Sequence, residues 1–66
     1  MFYTRYIELC KKKEIAPYKV LRLLGIPSAH LKAWRDRGTI PNVYYLYDIA
    51  KYFGCRIEDL IDRERL

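Results

Sequence analysis

Three features of this 66-residue chain predict an all-α fold. Apolar residues recur three and four apart, the period of a helix face rather than the alternation of a strand. The three glycines and three prolines fall where such segments end and begin. The connections so defined are short, as in a helical bundle. Five helices are expected, over residues 3–13, 17–24, 28–36, 43–53 and 57–63, forming one compact domain with no repeat, linker or low-complexity segment.

The first helix carries Tyr3, Tyr6, Leu9 and Cys10 at helical spacing. It ends in Lys11, Lys12 and Lys13, where the helix dipole favours cations. Ile15 reads as a buried plug before the next helix. The second helix opens with Pro17, which suits the first helical position. Val20, Leu21 and Leu24 form its inner face, and Gly25 ends it in the manner of a left-handed C-cap. After the short apolar Ile26, Pro27 and Ser28 start a third helix, whose apolar stripe is only Leu31 and Trp34. The segment Arg37, Gly38, Thr39, Ile40, Pro41 reads as a loop. Asn42 is the expected N-cap of a fourth helix with core residues Val43, Leu46, Ile49, Ala50 and Phe53. Gly54 stops it, and a short fifth helix buries Leu60 and Ile61.

Composition excludes several classes of function. A chain this short buries roughly 60 % of its unfolded surface, so it needs efficient packing or a partner. It is 52 % hydrophobic, which argues against disorder, yet no apolar run approaches the roughly 18 residues of a membrane span. Cys10 and Cys55 form no CxxC pair and read as small core hydrophobes. With no signal peptide ahead of them, a reducing cytoplasm is the expected compartment. His30 has no neighbours to complete a ligand set, so no metal or cofactor is expected. No nucleophile with a base, Gly-rich phosphate loop or plausible carboxylate pair is present, and Glu58 and Asp59 read as a solvated helix start. An enzyme with a small-molecule substrate is therefore not expected. The net charge is +5, and residues 58–66 sum to −2, which leaves +7 on the rest. A basic body of this kind suits a polyanion.

The informative stretch runs from Pro17 to Asp36. The third helix offers outward Ser28, Ala29, Lys32 and Ala33 beside its narrow apolar stripe. Small residues let a helix approach closely, alanine can touch thymine methyls, and polar side chains can bond base edges in the major groove. Lys19, Lys32, Arg35 and Arg37 surround this face with positive charge. Arg35 is open to two roles, clamping phosphate or pairing with Asp36. His30 is either a DNA contact or a partly exposed spacer. Double-stranded DNA is the expected partner.

Val20, Leu24, Gly25, Ile26, Leu31 and Trp34 are spaced as in the helix-turn-helix of phage repressors, and the chain resembles the Cro and lambda-repressor (XRE-like) family. MFYTRYIELCKKKEI, WRDRGTIP and IAKYFGCRIEDLI are similar to the flanking stretches of that family, so the resemblance covers nearly the whole chain. It implies a five-helix fold, homodimeric binding to a roughly palindromic operator, and transcriptional control, with repression the expected effect. Carried over by position, Ser28, Ala29 and Ala33 would face base edges, flanked by Lys32. Pro17, Tyr18, the Arg37–Thr39 loop and Asn42 would lie near phosphates. The sequence departs from the family pattern at four places. Leu21 replaces a usual Ala at the helix crossing, Pro17 a usual Gln, Glu14 a usual turn Gly, and Arg56 a usual N-cap Ser or Thr.

Of the seven tyrosines, four remain to be placed, Tyr44, Tyr45, Tyr47 and Tyr52 on the fourth helix, and they cannot all point inward. Tyr44 could reach a phosphate from the start of the fourth helix. Tyr45 and Tyr52, seven apart, form a stripe that either joins a dimer or merely covers the core. Ile57, Leu60, Ile61 and Leu66 are the other expected dimer residues. The alternative function is a protein-interaction module of the same fold, an antirepressor or antitoxin-like chain with a regulatory protein partner.

Overall fold

A computed structural model describes residues 2–61. Five α-helices follow in order: α1 (Phe2–Lys13), α2 (Pro17–Leu24), α3 (Ala29–Arg37), α4 (Val43–Phe53) and α5 (Ile57–Leu60). The described residues contain no strand, and the fold is the all-α one expected. α1 is the central element and packs against α2, α3 and α5, while α4 packs on α5.

The stripe that makes α1 central is Phe2, Tyr6 and Cys10, each four residues from the next and all buried. Phe2 lies one residue ahead of the predicted helix start. Its ring stacks on Tyr6 at 5.6 Å, and the Trp34 indole meets Phe2 and Tyr6 edge-on at 5.2 and 6.1 Å. These are favourable aromatic geometries, and they anchor α3 to α1 through one side chain. Val20, Leu21, Ile26, Leu46, Ile49, Ala50 and Leu60 complete the buried set. The Tyr6 hydroxyl donates to the Pro17 carbonyl at 2.6 Å and so ties the centre of α1 to the first turn of α2. Burial pushes the Tyr6 phenol well above its ordinary range, with Cys10 beside it adding to the effect.

Three helices end alike. Past α2, the Gly25 amide donates to the Arg22 carbonyl and the Ile26 amide to the Leu21 carbonyl, the two bonds of a Schellman cap. Gly25 has φ 75°, and Ile26 turns into the core. α4 closes in the same way, through the amides of Gly54 and Cys55. After α1 the same position is held by Glu14, whose φ of 55° makes it the one non-glycine residue with positive φ among those described. A side chain in this conformation costs roughly 1–2 kcal/mol. At the other end of α4, the Asn42 side chain accepts from the Tyr45 amide at 2.9 Å, as an N-cap should. Arg56 caps α5 by the opposite half of a capping box, its amide donating to the Asp59 carboxylate at 3.0 Å.

Several expectations are corrected. Val43 is 61 % exposed rather than core, and the buried face of α4 starts one turn later at Leu46. Ile15 and Leu31 are half-buried. α3 runs one residue later than predicted, with Ser28 outside it as N-cap and no side-chain cap bond. α5 ends at Leu60 because Ile61 is extended. The remainder of the predicted fifth helix, and Leu66, lie outside the described residues.

Candidate nucleic-acid interface

α2 and α3 are joined by Gly25, Ile26, Pro27 and Ser28. The buried Ile26 fixes this turn from below, and Gly25 gives the backbone the left-handed conformation that reverses it. α3 restarts through the Pro27 and Ser28 carbonyls, which accept from the amides of His30 and Leu31. Those two amides are therefore engaged locally, and attraction of phosphate to this helix falls to its dipole and its cationic side chains.

α3 is held on one side only. Trp34 is buried; Leu31 and His30 are half-buried, and the imidazole lies parallel to the Trp34 indole at 6.0 Å. On the opposite side Ala29, Lys32, Ala33, Asp36 and Arg37 line a shallow concave surface. Their spacing of 3, 1, 3 and 1 is that of a single helix face. Ser28 is exposed at the N-terminal end of this face, and its hydroxyl is not spent on capping. The structure thus brings four of the predicted residues, Ala29, Lys32, Ala33 and Arg37, onto one surface.

Arg35 is not among them. Its guanidinium grips the carboxylate of the next residue, Asp36, with Nε to Oδ1 at 2.8 Å and the second nitrogen to Oδ2 at 3.3 Å. This hydrogen bonding holds Asp36 below the usual carboxylate range and raises the Arg35 guanidinium. Of the two roles open to Arg35, the structure displays the pairing. Asp36 is the residue of the surface that sequence reasoning passed over. Its place was readable from its spacing of seven, four and three from Ala29, Lys32 and Ala33.

The remaining predicted contacts lie on other elements and do not line this face. Tyr18 and Lys19 are exposed on the first turn of α2, Thr39 is exposed in the α3–α4 loop, and Tyr44 is 78 % exposed on the first turn of α4. Asn42 is exposed, with its carbonyl oxygen committed to capping α4.

The expected dimer residues fare differently. Leu60 is fully buried in this chain's own core and offers nothing to a second chain, because the single turn of α5 directs it inward. Tyr45 packs against His30 at 5.4 Å, and Tyr52 lies edge-on to Phe53 under the Lys13 ammonium. The Tyr45 and Tyr52 stripe thus covers the core to a large extent, with both rings half-buried. Ile57 and Ile61 are also half-buried. Strongly exposed apolar side chains occur instead at Ile40, Val43, Tyr44 and Tyr47, in the α3–α4 loop and on α4, and at Tyr18 and Leu23 on α2.

Among the described residues no group of three or more metal-binding side chains occurs, and no helix is long and apolar enough to cross a membrane. A family model of the Cro/C1-type HTH DNA-binding domain matches residues 7–65. No curated protein and no solved structure matches the chain.

Proposed function

We propose, from the premise that this chain belongs to the Cro/C1-type helix-turn-helix DNA-binding family, that it is a sequence-specific transcriptional repressor acting as a homodimer on a short palindromic operator. One observation carries the reading: α3 is anchored by Trp34 alone among its buried residues and leaves a continuous outward face of Ala29, Lys32, Ala33 and Arg37. A helix held by its back, with small residues in front, can lie in a major groove without steric cost. Ala29 and Ala33 meet thymine methyls or admit close approach, and Ser28 reaches base edges from the helix start. Lys32 and Arg37, with Tyr18, Lys19, Thr39, Asn42 and Tyr44 around them, contact the sugar–phosphate backbone. Two copies present two such helices about 34 Å apart, one turn of DNA, and occupancy of a promoter suffices to block transcription. No catalysis, cofactor or small-molecule substrate enters this mechanism. It operates in the bacterial or phage-infected cytoplasm, on the nucleoid.

A second reading is favoured by a separate observation, the exposed group Ile40, Val43, Tyr44 and Tyr47. Patches of this kind serve protein contacts. Here they would make the chain an antirepressor or antitoxin-like partner of another protein.

Selection from random duplex DNA at two salt concentrations separates the readings. Enrichment of a palindrome, with affinity falling steeply as salt rises, supports the repressor. Absence of binding at low salt refutes it and leaves the protein-interaction reading.

A further inference from the structure

The reading face of α3 contains one residue that works against a polyanion. Asp36 lines it together with Ala29, Lys32, Ala33 and Arg37, and no other carboxylate does. A carboxylate facing phosphates is repelled, so a helix that only needed affinity would be better without it. Asp36 is also not left to move freely. Arg35 holds both its oxygens, at 2.8 and 3.3 Å, while both side chains remain about half exposed. The carboxylate is therefore ionised and accessible, and its oxygens keep acceptor capacity beyond the two bonds from Arg35.

We infer that Asp36 is a specificity-determining residue, which accepts a hydrogen bond from the exocyclic amino group of a cytosine in the major groove, and that Arg35 is its positioning residue rather than a phosphate clamp. In that groove cytosine presents an amino donor at N4 and guanine presents only acceptors, so an acceptor-only side chain favours the first and rejects the second. Geometry sets where this occurs. Asp36 lies seven residues beyond Ala29, about 10 Å along the helix. That distance covers at most about three base steps at about 3.4 Å each, whatever the angle of the helix in the groove. The cytosine contact therefore falls within about three base pairs of the position under Ala29 in each half-site. The inference rests on the proposed DNA-binding function.

The test is selection from random duplex DNA, at two salt concentrations, with the wild type, Asp36→Asn, Asp36→Ala and Arg35→Ala. All four differ only at exposed surface positions, so folding is preserved and is checked by coincident melting curves. The wild type is expected to select cytosine at one position of each half-site. Asp36→Asn should shift that position to adenine, which an amide recognises at N6 and N7, with a change in relative preference of roughly 10- to 100-fold. Asp36→Ala should relax the same position and no other. Arg35→Ala should weaken the cytosine preference there while leaving the salt dependence unchanged, whereas loss of a phosphate clamp lowers the salt slope by about 1 with the base preferences intact. If Asp36→Asn and Asp36→Ala keep the wild-type consensus and only bind all sequences more tightly, the inference is overturned and DNA-binding function stands. If the wild type enriches nothing, both fall together.

Discussion

Leu21→Ala probes the packing that sets α2 against the rest of the domain. Leu21 stands where the resemblance to the family implies an alanine, and it is fully buried. Removing three carbons at about 0.8 kcal/mol each costs about 2.4 kcal/mol in transfer free energy alone. A cavity that the helices cannot close raises this toward the 2.7–5 kcal/mol range typical of buried Leu→Ala changes, and about 3 kcal/mol is the expected value. A 66-residue domain has roughly 3–10 kcal/mol in total, so the loss is a third or more of its stability. With an unfolding entropy of about 0.14 kcal/mol/K for a chain of this length, Tm should fall by about 20 °C. Urea unfolding followed by far-UV circular dichroism and by emission of Trp34, the only tryptophan, measures it. The two probes should coincide, with a lower midpoint and an unchanged slope. A loss below about 1 kcal/mol would refute the reasoning. It would mean that α2 closes onto the smaller side chain, and that Leu21 is not a fixed spacer.

Four further outcomes are expected. Tyr6→Phe should cost about 1 kcal/mol by removing the bond to the Pro17 carbonyl. Because the folded-state pKa of Tyr6 is raised, its contribution is fully present below the unfolded value near 10 and declines above it, by up to about 1.4 kcal/mol per pH unit. Melting curves between pH 9 and 11 should show that decline in the wild type and a shallower one in Tyr6→Phe, since Cys10, also raised by burial, retains its share. Glu14→Gly should stabilise by about 0.5–1 kcal/mol, relieving a left-handed residue at the cost of a more flexible unfolded chain, and thermal melting reads the gain. Asn42→Ala should cost about 1 kcal/mol through loss of the cap, and Asn42→Asp should retain most of it in the same chemical melts. Lys32→Ala and Arg37→Ala should each weaken DNA binding evenly across sequences and reduce the salt slope by about 1, as fluorescence titrations at several salt concentrations would show.

The sequence was most legible where one residue decides a local conformation. Gly25 and Gly54 ended α2 and α4 as expected, Pro17 opened α2, Asn42 capped α4, and Glu14 took the left-handed conformation its turn requires. Helix period also placed Trp34 inward and left Ala29 and Lys32 exposed, with Ala33 half-buried beside them. What escaped was decided by packing between elements. Phe2 shares the four-residue spacing of Tyr6 and Cys10, but its burial is completed only by Trp34 meeting it from α3. Val43 and Tyr45 both lie on the first turn of α4, yet Tyr45 is covered by His30 of α3 while Val43 is exposed. Leu60 looked equally fit for core or interface until the single turn of α5 directed it at α1 and α4. At the candidate site, the pairing of adjacent Arg35 and Asp36 was a matter of rotamer, to which residue spacing is blind.

The central claim is that the outward face of α3 contacts DNA, and Ala29→Glu tests it most directly. Ala29 is exposed, so a longer side chain there leaves the core untouched, yet it adds bulk and negative charge at the point of closest approach. Titrations of wild type and Ala29→Glu against the selected duplex and a scrambled one should show specific binding by the wild type alone. The variant should bind both duplexes equally, at the non-specific level. Undiminished preference of Ala29→Glu for the selected duplex would contradict the account and move the DNA contact to another surface.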